Sequence, residues 1–231
     1  MIDIHSHVLP LVDDGSSSIE NSIKMVKTAE SQGVTDIILT PHYRNKYQLL
    51  KDELQKIFEE FKKEVVSHGL KINLYLGQEI FSVRGARGLL EEGKLLTLAN
   101  SKYLLYELDY NFNGDITEVA YEYSRSGFIP IFAHIERYSS VDIEDIILSK
   151  EMGALIQVNA EGLIGNNGCK IKRKIKKLLK LDLVDFVASD CHENREYAMK
   201  KAYEKVAKKF GKERADKIFI KNQEKILKGS T

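Results

Sequence analysis

Short apolar runs alternate with segments of helical periodicity along this chain, and that alternation constrains its fold more than any other feature. Runs at residues 2–5, 36–40, 72–76, 103–108, 129–133, 155–158 and 184–188 read as strands. Residues 18–32, 48–68, 116–126, 143–152, 170–181, 196–210 and 212–227 repeat apolar side chains at helical spacing. The first of these helices closes at Gly33. Strands that are apolar through their length are buried on both faces, which points to parallel strands joined by crossover helices. A barrel and an open doubly wound sheet both satisfy the pattern. The chain has 231 residues, and an α/β barrel commonly uses about 200 to 250. No internal repeat, Gly/Ser linker or shift in composition divides it, so one domain over residues 1–231 is expected.

Composition excludes more than it selects. With 43% hydrophobic and 30% charged residues, the chain can bury a sizeable core and stay soluble. A formal net charge of +1 gives no global field that marks a nucleic-acid or membrane-surface partner. The basic run at 170–180 carries Ile171, Ile175, Leu178 and Leu179 at helical spacing, so it is read as the solvated face of a helix rather than a nucleic-acid site. Cys169 and Cys191 are too few for a disulfide framework, which suits a reducing cytoplasm. No basic leader precedes an apolar run, and no stretch approaches the roughly 20 apolar residues of a membrane span. Neither export nor membrane insertion is expected.

Chemistry enters at the ends of the apolar runs. His5 and His7 follow the first run, His42 the second and Glu79 the third; Glu107 closes the fourth, His134 follows the fifth, and Asp190 and His192 follow the seventh. In a parallel barrel every strand opens its C-terminal end on one face, so residues far apart in sequence converge there. A single such histidine is more often a satisfied or exposed imidazole. Here five of the six histidines lie at strand ends, with only His68 on a helix, and that clustering favours a multi-metal site. His5-Ser6-His7 in an extended segment turns both imidazoles to one side. Asp190-Cys191-His192 is expected to share that geometry, with Cys191 pointing away as a packing residue. Imidazole and carboxylate without thiolate suit Mn, Fe or Zn better than Mg. Asp13-Asp14-Gly15 is read equally as a turn before the first helix and as a source of ligands. Arg137 and Arg195 each lie three residues beyond a ligand histidine and could grip phosphate in a bidentate way; Arg44 is a third candidate with weaker support.

The segments DIHSHVLPLVDDGS at the start, TPHY at 40–43, GQE at 77–79, YEL at 106–108, AHIERY at 133–138 and SDCH at 189–192 resemble the polymerase-and-histidinol-phosphatase (PHP) superfamily. More narrowly, they resemble its bacterial metal-dependent protein-tyrosine phosphatases of capsule and exopolysaccharide operons. The resemblance covers nearly the whole chain. It implies a distorted TIM-like (β/α)₇ barrel of PHP type holding three divalent ions, manganese being the usual one. His5, His7, Glu79 and Asp190 would hold the first ion. Glu79 would bridge to a second ion held by Glu107 and His134, and Asp14, His42 and His192 would hold the third. Asp13 would stay outside the ligand set. Arg137 matches the family's phosphate-binding arginine, and Arg195 is assigned the same role across a shorter segment than the family pattern.

The implied activity is a phosphoric monoester hydrolase acting on phosphotyrosine, with metal-activated water as nucleophile. The implied partner is a phosphotyrosine-bearing protein, a bacterial tyrosine autokinase. Cysteine-dependent chemistry is disfavoured, because the sixth residue after Cys169 is Ile175 and after Cys191 is Tyr197, where Cys-x₅-Arg is required. Three alternatives stand beside this. One is a phosphatase of histidinol phosphate or another small phosphomonoester, or a related phosphodiesterase. Another is a non-catalytic metal-binding regulator. The third, a deaminase, would need a metal-bridging lysine that the sequence does not place.

Overall fold

The computed structural model describes residues 1–229. Its strands are β1 (Ile2–Ser6), β2 (Asp36–Leu39), β3 (His42–Tyr43), β4 (Asn73–Leu76), β5 (Glu79–Phe81), β6 (Tyr103–Glu107), β7 (Ile129–Phe132), β8 (Leu155–Asn159) and β9 (Phe186–Ala188). All paired strands run parallel, in the orders β1-β2-β4 and β3-β5-β6-β7-β8-β9. The two sheets meet where β2 runs on into β3 and β4 into β5. Pro41 has no N–H to donate at the first break. Hydrogen bonding continues across it all the same, from Gly77 N to Leu39 O (2.8 Å) and from Glu79 N to Pro41 O (3.1 Å). Gly77 is required there, since a Cβ would stand 2.9 Å from Leu98 Cδ2 and 3.2 Å from Leu98 Cα. At the other margin Asp190 N donates to His5 O (2.9 Å) and His7 N to Cys191 O (3.1 Å). The architecture is an α/β fold on a curled parallel half-barrel sheet.

Among the described residues ten α-helices flank the strands: α1 (Ile19–Ser31), α2 (Lys51–Ser67), α3 (Ala86–Glu91), α4 (Ile116–Arg125), α5 (Ile143–Glu151), α6 (Ala160–Ile164), α7 (Cys169–Lys180), α8 (Met199–Phe210), α9 (Lys212–Asp216) and α10 (Asn222–Lys228). Capping explains several starts. The Ser18 side chain accepts from Asn21 N at the head of α1, and Asp142 accepts from Glu144 N and Asp145 N at the head of α5. The helix expected over 212–227 is interrupted by a π-helical turn at Lys217–Lys221. Helices α3 and α6 were not legible, being too short to show a period. The last strand is shorter than expected, at 186–188 rather than 184–188, and α8 begins at Met199 rather than 196. Among the described residues, no helix is long and apolar enough to cross a membrane.

Alternation along the strands makes two apolar layers. Ile37, Leu39, Leu104, Tyr106, Phe132, Ile156, Val158 and Val187 pack toward the helices, while Ile38, Leu105, Ile131, Phe186 and Ala188 form an inner cluster with Ile2 and Ile4. In β1 the register passes from Asp3↔Ile37 to Ser6↔Leu39, one residue more than its partner uses. This bulge lets His5 follow Ile4 onto the inner surface instead of alternating away. The inner positions are thus apolar at the bottom of the sheet and polar at its C-terminal edge.

Candidate metal centre

At that edge the structure brings together all nine ligands expected from sequence. Glu107 continues the inner row of Leu105 on β6, and Glu79 sits beside Leu105 in register, with His42 beside Glu79. His134 and Asp190 leave their strands with φ of 34° and 49°, a left-handed conformation uncommon outside glycine that costs about 1 kcal/mol or more. Each is held by its own N–H, His134 N donating to Gln157 Oε1 (2.8 Å) and Asp190 N to His5 O (2.9 Å). Asp190-Cys191-His192 is therefore not the extended segment expected, because a left-handed residue cannot continue a strand. Cys191 nonetheless packs in the apolar core, where burial pushes its thiol up to about 12.

The donors fall into overlapping sets whose ligand atoms lie within 4.8 Å of one another: His7, Asp14, His42 and His192; His5, His7 and Asp190; His5, Glu79 and His134; His42, Glu79 and Glu107. Glu79 stands between sets. Its Oε1 lies 3.3 Å from His5 Nε2 and 3.0 Å from His134 Nε2, and its Oε2 lies 3.3 Å from His7 Nε2 and 2.8 Å from His42 Nδ1. Glu107 Oε1 is 3.9 Å from His134 Nε2, and Asp14 Oδ1 is 3.5 Å from His42 Nε2 and 3.7 Å from His192 Nε2. All of these groups are buried except Asp14.

The second nitrogen of each imidazole decides what the first can do. His5 Nδ1 faces Gln157 Oε1 (3.2 Å), His7 Nδ1 faces Asp13 Oδ2 (2.7 Å), and His192 Nδ1 faces the carbonyl oxygen of Asp190 (3.1 Å). Each partner can only accept, so each Nδ1 carries the proton and each Nε2 lone pair points into the cluster, as metal ligation needs. His134 Nδ1 lies 3.1 Å from Tyr138 Oη, which also accepts from Leu108 N. Among the described residues, His42 Nδ1, Glu79 Oε2 and Glu107 Oε2 are buried without a hydrogen-bond partner, although they face one another. Orphaned lone pairs converging in a buried site fit divalent cations.

Charge agrees with that fit. Burial and the neighbouring Glu79 push Glu107 up to about 9, while burial opposed by His5 and His42 leaves Glu79 well below the usual carboxylate range. Two such carboxylates do not both ionise cheaply without a cation between them. Burial, and then Arg137, lower His134 to about 4, which keeps its imidazole neutral. For His7 burial acts downward, but Asp13 and then Asp190 and Glu79 raise it on balance; a metal competes with that proton.

The arginines lie at the rim. Arg137 Nη2 is 2.7 Å from Asp190 Oδ2, and Arg195 Nη1 is 3.1 Å from the same oxygen and 3.2 Å from the Asp190 carbonyl. Arg44 stands across the site, 3.8 Å from Glu107 Oε2 and 5.0 Å above the Phe81 ring. Asp190 thus turns Oδ1 to His5 and His7 and Oδ2 to the arginines.

Sequence reasoning missed the residues that hold the ligands. Gln157 and Asn159 are inner positions of β8, which forms from the one apolar run that no expected ligand closes or follows. Gln157 Nε2 donates to Asn159 Oδ1 (2.8 Å), and Asn159 Nδ2 donates to Asp190 Oδ2 (2.7 Å). Glu136 Oε1 accepts from Asn159 N (2.9 Å), and burial pushes its carboxyl up to about 7. Two amides at i and i+2 in an apolar run were the signal available. Asp13 accepts from His7, Gly15 N and His42 N, so it orients the centre from outside the ligand set. Gly15 is pressed on His7, where a Cβ would lie 2.1 Å from His7 O.

Comparison with known proteins places the chain in context. The family model described as "Capsular polysaccharide synthesis, CpsB/CapC" matches residues 1–228. The putative tyrosine-protein phosphatase CapC of Staphylococcus aureus is 36% identical over 210 residues, covering 88% of this chain and 82% of that protein. The tyrosine-protein phosphatase YwqE of Bacillus subtilis is 31% identical over 237 residues, covering 100% and 93%. A solved structure from the work on YwqE of Bacillus subtilis and CpsB of Streptococcus pneumoniae, "unique metal-dependent tyrosine phosphatases", superposes with TM-score 0.94 at 30% identity, covering 100% of this chain and 96% of that one.

Proposed function

Since the chain belongs to the CpsB/CapC family of capsular polysaccharide synthesis, we propose that it is a metal-dependent protein-tyrosine phosphatase. The observation that carries this reading is the convergence of eight buried donors and the exposed Asp14, three with orphaned atoms, beside two arginines. We take β2 with β3 and β4 with β5 as single bent strands, which makes the fold a distorted (β/α)₇ barrel forming one catalytic domain. Three divalent ions, manganese foremost, would be held by His5, His7, Glu79 and Asp190; by Glu79, Glu107 and His134; and by Asp14, His42 and His192. The sets His5/His7/Asp190 and His7/Asp14/His42/His192 support the first and third groups, and Glu79, which shares one set with His5 and His134 and another with His42 and Glu107, supports a bridging place for that carboxylate.

Bound ions would supply acidified water and neutralise phosphate oxygens. The chain's own residues do the rest. Gln157, Asp13 and the Asp190 carbonyl keep Nδ1 protonated on three imidazoles, so that each Nε2 stays a ligand. Arg137 and Arg195, both of which contact Asp190 Oδ2, would take the non-bridging oxygens of phosphate. A tyrosine phenolate, with a solution pKa of about 10, leaves without a dedicated acid. Cys191, buried and packed, has no part in the reaction. The partner would be a bacterial tyrosine autokinase, and the compartment the cytoplasm, in keeping with two unpaired cysteines.

The test is phosphate release from a phosphotyrosyl peptide by chelator-stripped protein before and after manganese is restored, with His134→Ala as control. Turnover restored by metal in the wild type and absent in the variant is expected. Faster turnover of histidinol phosphate than of the peptide would overturn the substrate, and metal binding without turnover of any phosphoester would point to the regulator.

A further inference from the structure

Helix α7 carries the basic run that the metal centre leaves unused. Lys170, Arg173, Lys174 and Lys177 recur at i, i+3, i+4 and i+7, which puts them on one helix face. That face lines a cleft of 520 Å³ that also reaches Arg137, the arginine paired with Asp190 at the candidate centre. Lys174 has a structural task, donating from Nζ to the carbonyls of Tyr138 (2.5 Å) and Val141 (2.8 Å) and so fixing the loop after β7 against α7. Lys170, Arg173 and Lys177 are exposed and make no ion pair among the described residues.

Three acids also line the cleft. Asp142 is engaged with the first N–H groups of α5, and Glu136 is fully buried beneath the surface. Among the described residues of the cleft, the carboxylates of Asp142 and Glu144 face three cations that make no ion pair, while Arg137 is already paired with Asp190. A row of unpaired positive charge continuous with a phosphate-binding arginine matches an anionic chain that enters the site by its phosphate.

We propose that this cleft docks the acidic residues flanking phosphotyrosine in a peptide substrate. The proposal rests on the phosphatase reading and adds a specificity that the metal centre does not supply. Its reach is set by geometry: Lys170 to Lys177 spans about 10 Å along the helix. An extended peptide at roughly 3.3 Å per residue covers that with about three residues.

The experiment compares phosphotyrosyl peptides of equal length that carry three aspartates on the N-terminal flank, three on the C-terminal flank, or serines throughout. The manganese-loaded protein is expected to prefer one acidic peptide over the serine peptide by about tenfold in kcat/KM, the effect of several exposed charge pairs acting together. The gain should lie in KM and shrink with added salt. Lys170→Glu/Arg173→Glu/Lys177→Glu should remove the preference, and the milder Arg173→Ala should reduce it. Reversal of Lys172 and Lys176, which face α8 beside Lys205 and Lys209 instead, should leave it in place.

Equal handling of all three peptides by the wild type would overturn the docking proposal alone. So would an equal loss in the Lys172/Lys176 variant, which would point to general attraction of polyanions such as nucleic acid or acidic membranes. Failure to hydrolyse any phosphotyrosyl peptide would overturn the phosphatase reading and the docking proposal with it.

Discussion

Replacing Gln157 with leucine tests whether β8, which carries no candidate ligand, governs the metal centre. The side chain fits the same space, but three hydrogen bonds disappear: those from His5 Nδ1 (3.2 Å) and His134 N (2.8 Å), and that to Asn159 Oδ1 (2.8 Å). Two buried donors are left without an acceptor, at about 1 to 3 kcal/mol each, so a fall in thermal stability is expected. A structural residue would do that much. The specific consequence is at His5, whose ring loses the acceptor that keeps its proton on Nδ1. Loss of such an outer partner lowers metal affinity by about 10- to 100-fold, or roughly 1.4 to 2.7 kcal/mol. The assay titrates manganese into chelator-stripped wild type and Gln157→Leu, reading both heat of binding and turnover. The midpoint should move to higher manganese by that factor, while kcat at saturating metal recovers most of its wild-type value. A variant with lowered Tm and an unchanged manganese midpoint would refute the reasoning and reduce Gln157 to packing.

Gly15→Ala should cost at least about tenfold in turnover at limiting manganese, since a Cβ 2.1 Å from His7 O must displace a ligand; normal activity and normal metal affinity would show that the loop relaxes freely. Cys191→Ser should leave kcat within about twofold, because the thiol is buried and packed rather than reactive, and loss of turnover would sink the metal mechanism. Glu136 supplies a pH test. Its folded pKa of about 7 lies above the ordinary 4.5, so its favourable contribution is full below pH 4.5 and is lost as pH rises through 7. The shift corresponds to about 3 kcal/mol. Urea melts at pH 5 and pH 8 should therefore show Glu136→Gln gaining stability relative to wild type at the higher pH; parallel behaviour at both pH values would refute it.

By itself the sequence pointed to the parallel βα order, to eight candidate donors at strand ends and to the rim arginines, while Asp14 was singled out only by the family resemblance. These are legible because each is local: a strand shows in its run of apolar residues, and a ligand shows as a polar residue at the end of that run. Helices α3 and α6 escaped because five or six residues show no period.

Only the tertiary structure decided how the donors are held. The bulge that turns His5 inward depends on pairing with β2, and the left-handed His134 and Asp190 depend on acceptors from β8 and β1. The imidazole tautomers depend on Asp13, Gln157 and a carbonyl, which no spacing rule connects to their rings. The reach of the α7 cations to Arg137 likewise exists only once the loop after β7 is fastened to that helix by Lys174. Residue type and period are properties of the chain within a few positions. Orientation of a buried polar group is set by its partner across the sheet, and that partner is fixed only when the strands assemble.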